Sequence, residues 1–138
     1  MDIKKFVIDK ANENAYIQSL NIEYEELTAE YVCAKMPFKP ELANPYGTAH
    51  GGILYSMADI VCGTAAWMTG FLATTVSADF KYLLPMQNTE YIHCIGRAEK
   101  IGGKLIIYSV ELKDDFGNVV NTATFTFYKA KRMLEEQK

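Results

Sequence analysis

Three hydrophobic patterns run along this chain, and each predicts a different element. From Gly52 to about Thr69, residues Ile53, Met57, Ile60, Val61, Thr64, Ala65 and Met68 recur at three- and four-residue spacing, which predicts one long helix. Its other side carries Ser56, Ala58, Asp59, Cys62, Gly63 and Ala66, so the helix is expected to be covered nearly all round, with small residues that let another backbone approach. After Gly70 the period falls to two, and strands are expected over 73–84, 89–100, 104–114 and 119–130. In the last of these Ala123, Phe125 and Phe127 alternate with Thr122, Thr124, Thr126 and Tyr128. Ile101-Gly102-Gly103 reads as a hairpin turn and Asp115-Phe116-Gly117-Asn118 as the next one. Ahead of the long helix, 9–19 predicts a short amphipathic helix capped by Asp9. Residues 20–36 predict two half-strands with a break at Glu25-Glu26, the second alternating from Thr28 to Met36. Pro37 and Pro40 end it, and a loop rich in Pro, Asn and Gly occupies 37–50.

These elements predict an α+β fold, a consecutive antiparallel sheet wrapped around one helix. The hairpins argue against a parallel sheet, which needs a crossover between every pair of strands. At 138 residues one domain over 1–138 is expected, with a helical segment at 1–19 and a charged tail at 131–138. Hydrophobic content of 49% and charged content of 22% are ordinary for a globular chain. A net charge of −3 gives no electrostatic case for nucleic acid or an acidic membrane. Residues 53–72 are interrupted by Ser56, Asp59 and Thr64, so they read as a buried helix rather than a membrane span. The first sixteen residues hold no apolar run of signal-peptide length. Cys33, Cys62 and Cys94 form no CxxC, and only two histidines are present, so no metal site is expected and the thiols read as reduced in a cytoplasmic protein.

The stretch with the most chemistry is 44–72. Asp59 is the only charged residue between Glu41 and Asp79, and a lone carboxylate in apolar surroundings needs a structural or a catalytic reason. The pattern Asn44-x2-Gly47-x2-His50-Gly51-Gly52-x6-Asp59-x3-Gly63 resembles the signature of the PaaI-type (phenylacetate-pathway) acyl-CoA thioesterases, within the 4-hydroxybenzoyl-CoA thioesterase-like superfamily. Val76-Ser77-Ala78-Asp79-Phe80 before Leu84-Pro85 is similar to that family's next strand. The resemblance covers 20–130 and implies the hotdog fold, an acyl-CoA substrate with no further cofactor, and hotdog dimers that often pair into tetramers.

Thioester hydrolysis needs donors for a developing oxyanion and a base or nucleophile. Gly51 and Gly52 open a helix, where amides are unpaired and the dipole is positive, and glycine admits a substrate closely. Gly51 N–H is therefore expected to be the main oxyanion donor, and Asp59 the base or nucleophile. The resemblance implies that Asn44 assists through its amide, that His50 holds the loop and that Ser77 helps position the water. Tyr46 and Tyr55 lie near enough in sequence to line an acyl pocket. Among the basic residues Lys81, Arg97, Lys100 and Lys104, one or two are expected to meet coenzyme A phosphates, and Lys81 and Lys104 are the chosen candidates.

Gly51 and Asp59 stand eight residues apart on one helix, about 12 Å at 1.5 Å per residue, too far to touch one thioester. If both act, each site takes its Asp59 from a second copy, giving an isologous dimer, or a dimer of dimers, with shared sites. Two rival readings remain at this stage. A hotdog dehydratase or hydratase would pair His50 with Asp59, but its pattern carries Pro-Gly and a glutamate where this chain has Gly-Gly and an aspartate. A non-catalytic acyl-CoA sensor would not need the carboxylate at 59.

Overall fold

The computed structural model describes residues 2–133. Its elements in chain order are α1 (Ile3–Ala11), α2 (Ala15–Leu20), β1 (Glu23–Leu27), β2 (Tyr31–Pro37), α3 (Gly51–Trp67), β3 (Phe71–Tyr82), β4 (Tyr91–Ile101), β5 (Leu105–Lys113) and β6 (Val119–Arg132), with a short 3-10 turn at Pro40–Leu42. The six strands form one antiparallel sheet in the order β1-β2-β4-β5-β6-β3. Period-two burial on its inner face sets Val32, Ala34 and Met36, then Ile92 and Cys94, then Ile106, Tyr108, Val110 and Leu112, then Ala123, Phe125 and Phe127 against the long helix. From α3 that face receives Leu54, Met57, Ala58, Val61, Cys62 and Ala65.

The sheet is not consecutive. β3 pairs with β6 at the far edge and β4 pairs with β2. The helix between β2 and β3 accounts for this: α3 crosses the inner face and carries the chain from β2 to the opposite edge, where β3 pairs with β6. The central helix is also less covered than its composition suggests. Gly52 and Tyr55 are exposed, and Ser56, Asp59, Ile60, Gly63 and Trp67 are half-buried, one stripe along its length. Cys62 and Ala66, two of the small residues expected to let another backbone approach, are fully buried in the chain's own core, whereas Gly63 reaches the open stripe.

The N-terminal segment departs from the single helix expected over 9–19. Asp2 caps α1 by accepting from the Lys5 amide at 3.1 Å, while Asp9 instead pairs with Lys5 at 2.6 Å. Asn12-Glu13-Asn14 breaks the chain and Asn14 caps α2 by accepting from the Ile17 amide at 3.1 Å. The expected break at Glu25-Glu26 is a bulge within β1, and the turn lies at 28–30, where the Thr28 hydroxyl accepts from the Tyr31 amide at 3.0 Å. Of the expected charged tail, Lys131 and Arg132 are in β6 and the Met133 amide donates to Gly70 C=O at 2.8 Å; 134–138 lie outside the described residues. No described helix is long and apolar enough to cross a membrane.

Two features fix the sheet's geometry. On β4, a Cβ at Gly96 would lie 2.9 Å from Cys62 Sγ and 3.0 Å from Val32 Cγ1, so the helix approaches the sheet as closely as glycine allows. At the other end, Asp115 binds β4 and the residue ahead of it: Oδ1 pairs with His93 Nε2 at 2.8 Å and Oδ2 accepts from the Glu90 amide at 2.7 Å. Burial alone would raise the Asp115 carboxyl, but the hydrogen bonds from His93 and the Glu90 and Tyr91 amides outweigh it and hold the pKa down to about 2.

Gly96→Ala is expected to destabilise the fold by about 1–3 kcal/mol through overpacking, measured by urea denaturation; an unchanged midpoint would mean that the helix has room to withdraw. The depressed Asp115 carboxyl contributes stability that is complete above its unfolded value of 3.8 and is lost as pH falls through about 2. Stability measured across that acid window should fall less steeply in Asp115→Asn than in the unmodified chain.

Candidate active site

Two clefts lie along the open stripe of α3, one at its start and one two turns further on. The first is built by the loop before the helix. Asn44 Oδ1 accepts from the amides of Tyr46 at 2.9 Å and Thr48 at 3.2 Å, and its Nδ2 donates to Thr48 Oγ1 at 2.7 Å. Gly47 closes this turn at φ +84, a left-handed conformation in which glycine carries no Cβ penalty. The Ala49 amide then donates to Met86 C=O and the His50 amide to Leu42 C=O, both at 2.8 Å, which aims the chain into the helix. His50 is the N-cap residue. Its carbonyl accepts from the Ile53 and Leu54 amides, while its exposed imidazole makes no hydrogen bond among the described residues. The amides of Gly51 and Gly52 belong to the unpaired first turn.

Tyr82, near the end of β3, lies across this turn. Its hydroxyl donates to Gly51 C=O at 2.8 Å, and a Cβ at Gly51 would lie 3.3 Å from its ring. Burial pushes the Tyr82 phenol above its ordinary range, so it stays protonated as a donor. Asn44, Gly51, Leu54, Tyr82, Leu84 and Met86 line a cleft of about 430 Å³. No local pattern singles out Tyr82, because its contact with Gly51 depends on β3 lying at the sheet edge.

The second cleft, about 140 Å³, holds Asp59 among Ile17, Ile60, Gly63, Trp67 and Phe127. Asp59 is half-buried, and its Oδ1 accepts the hydroxyl of Thr75. Ser77, the residue expected near this carboxylate, is elsewhere. A bulge at Val76 shifts the pairing of β3, so that Thr75 stands opposite Phe127 on the inner face and Ser77 opposite Thr126 on the outer one. The sequence offers hydroxyls at 74, 75 and 77, and a period-two reading does not separate them, because the bulge is set by pairing with β6.

The remaining candidates divide. Tyr55 lies on the open stripe between the clefts, its ring 5.4 Å from Phe80 and 5.3 Å from Phe125. Gly52 is exposed beside Gly51, and Tyr46, 89% exposed, projects from the tip of the loop. Lys81 pairs with Asp79 at 3.0 Å and lines a groove on the outer sheet face. Lys104 sits in the β4–β5 turn, where its carbonyl accepts from the Lys129 amide at 2.8 Å. Neither lysine lines either cleft. The register sets them opposite Thr122 and Lys129, seven residues apart along β6, about 23 Å, so one chain does not bring them together. Among the described residues no group of three or more His, Cys, Asp or Glu is arranged to hold a metal ion.

Residues 46–121, more than half of the chain, match the family model of the thioesterase superfamily, and the chain belongs to that family. Its fold is the hotdog fold. PaaI of Escherichia coli, from the phenylacetic acid degradation operon, superposes with a TM-score of 0.83 at 16% identity over 95% of this chain and 98% of its own. A hypothetical thioesterase of Streptococcus pneumoniae, solved with coenzyme A, gives 0.77 at 24% identity over 81% of this chain and 90% of its own. That protein has also been solved with an aspartate, and separately a threonine sixteen positions later, replaced by alanine. In sequence, a provisionally assigned esterase of Archaeoglobus fulgidus is 26% identical over 104 residues, 75% of this chain and 68% of the relative.

Proposed function

We propose that the protein is an acyl-CoA thioesterase, hydrolysing a thioester to a free acid and coenzyme A. The observation that carries this reading is Asp59: one carboxylate in a largely apolar cleft, held by the Thr75 hydroxyl, on the same helix as the first-turn amides of Gly51 and Gly52. Membership in the thioesterase superfamily supports it, as does coenzyme A in the S. pneumoniae neighbour. The aspartate and threonine replaced in that neighbour have the same separation as Asp59 and Thr75, sixteen residues.

The proposed chemistry assigns each group a task. The thioester oxygen sits against Gly51 N–H, a donor worth ~10²–10³ in rate as charge builds on it. Asn44, by folding the loop, and His50, by capping the helix, hold that amide in place. Asp59 then takes a proton from water, and the hydroxide adds to the carbonyl carbon. Collapse of the tetrahedral intermediate breaks the C–S bond, and the sulfur leaves with the proton that Asp59 carried. In the other route Asp59 adds directly, expels the thiolate and forms an anhydride that water hydrolyses. In both, Thr75 takes the positioning role first given to Ser77. Neither route uses a metal or a resident cofactor, and the three free thiols suit a reducing compartment such as the cytoplasm.

The proposed chemistry calls for a second copy. Gly51 and Asp59 open into different clefts, about 12 Å apart along the helix. A two-fold axis near Tyr55 would set Gly51 of one copy against Asp59 of the other. The same operation sets Tyr82, which touches Gly51, against Thr75, which touches Asp59, and so pairs the β3 edges antiparallel about Ala78-Asp79. That edge is twelve residues long and exposes Val76 and Tyr82 at 56% and 55%, an open strand that invites a partner. A homodimer with two shared sites, or a dimer of such dimers, follows. Tyr46, Tyr55 and Gly52 would then face the substrate, and Lys81 and Lys104 remain candidates for its phosphates only across the assembly.

In a thiol-release assay, Asp59→Asn should lower kcat by at least ~10². Thr75→Ala should lower it about tenfold, the worth of one positioning hydrogen bond, and Ser77→Ala should change it less than about twofold. Near-normal turnover in Asp59→Asn would remove that residue from the mechanism. Mixing inactive Asp59→Ala and Asn44→Ala chains should restore about a quarter of the activity at equal ratio, since each mixed dimer holds one intact site. No recovery despite demonstrated subunit exchange would sink the shared site.

A further inference from the structure

The Asp59 cleft has a wall that the matched family segment does not supply. Residues 46–121 account for Asp59, Ile60, Gly63, Trp67 and Thr75; Phe127 comes from β6 beyond that segment, and Ala11 and Ile17 come from α1 and α2 ahead of it. These two helices are fixed in place. Val7 and Ala11 are buried, Leu20 is buried in the main core, and the Tyr16 hydroxyl donates to Ser56 Oγ at 3.0 Å, one turn of α3 before Asp59. The Asn14 cap sets the start of α2, and Ile17 stands half-buried on its first turn.

We infer that the N-terminal helical pair ends the acyl pocket, with Ile17 as the residue that limits acyl length. This rests on the acyl-CoA thioesterase reading. Beside Asp59 an apolar space opens within the same chain, between Ile17, Ile60, Trp67 and Phe127, and it can receive the acyl group of a thioester whose carbonyl lies at the carboxylate. Its volume, about 140 Å³, is close to that of an apolar cavity that takes one benzene molecule. The substrate class is therefore a compact acyl group, up to about six carbons or one ring. Longer chains meet Ile17, a side chain on a short helix tied down by one buried leucine, one cap and one tyrosine hydrogen bond. Such a wall can be changed without touching Asp59, Thr75 or Gly51.

The test is kcat/KM for coenzyme A esters from acetyl to dodecanoyl, with benzoyl, in the unmodified protein, Ile17→Ala and Ile17→Trp. The unmodified profile should peak at about six carbons or one ring. Ile17→Ala should raise the decanoyl-to-hexanoyl ratio at least about tenfold, and Ile17→Trp should lower the hexanoyl-to-acetyl ratio by a similar factor, the discrimination an apolar pocket exerts over a misfitted methylene or more. A ratio is read because a merely structural loss lowers all esters together. Unchanged ratios in both variants would overturn the inference and leave the thioesterase reading intact. Absence of release from every ester by the unmodified protein would instead overturn the thioesterase reading, and the ruler with it.

Discussion

Everything at the site depends on how closely one helix lies on one sheet. The approach is close where Cys62 of α3 faces Gly96 of β4, a position with no room for a methyl group. Small residues at Ala58, Cys62, Ala65 and Ala66 turn toward the sheet and draw the helix down. With the axis so low, the opposite stripe of the helix is left at the surface, where it can offer both its first-turn amides and a carboxylate two turns on. A bulkier inner face would lift the helix and change the reach of Tyr82 to Gly51 and of Thr75 to Asp59. Packing in the core thus sets the geometry of two clefts that share no side chain with the contact itself.

The small residues of α3 also show where sequence and structure part. Their presence was legible, and so was the need for a close neighbour; which neighbour was not. Cys62 and Ala66 serve the sheet of their own chain, and the surface left for a second copy is the stripe of Gly52, Tyr55, Asp59 and Gly63. The helix itself, the period-two strands and the turn at Gly102-Gly103 were readable because each is decided by spacing within a few residues. The strand order was not, because the crossing of α3 sends β3 to the far edge and no local pattern records that path. Asp59 and Gly51 were legible as a lone carboxylate and a glycine pair opening a helix. Thr75 was not, since the bulge that turns it inward exists only in the pairing with β6.

Asn44 and His50 illustrate a quieter division. Both were expected near the first-turn amides, and both are there, but their described bonds are to the loop and to the start of the helix. Asn44 folds the turn with its side-chain oxygen and amide, and His50 caps the helix through its carbonyl. Residue type gave the neighbourhood, and the hydrogen-bond partners give the work that each side chain does within the chain.

The position of β3 has one more consequence. This strand is the free border of the sheet and also carries Thr75 and Tyr82, seven residues apart and bonded to opposite ends of the site. In the proposed pair the border becomes a vernier, because the alignment of two identical strands fixes how far one copy's carboxylate stands from the other's amides. The smallest slip that keeps every side chain on its own face is two residues, and it would slide the halves by about 7 Å, more than the length of the bond being broken plus both of its neighbours. Specific pairing along an edge is usually read as protection against aggregation. Here it would also act as a tolerance on the chemistry, so that a misaligned dimer could be well folded, fully associated and inert.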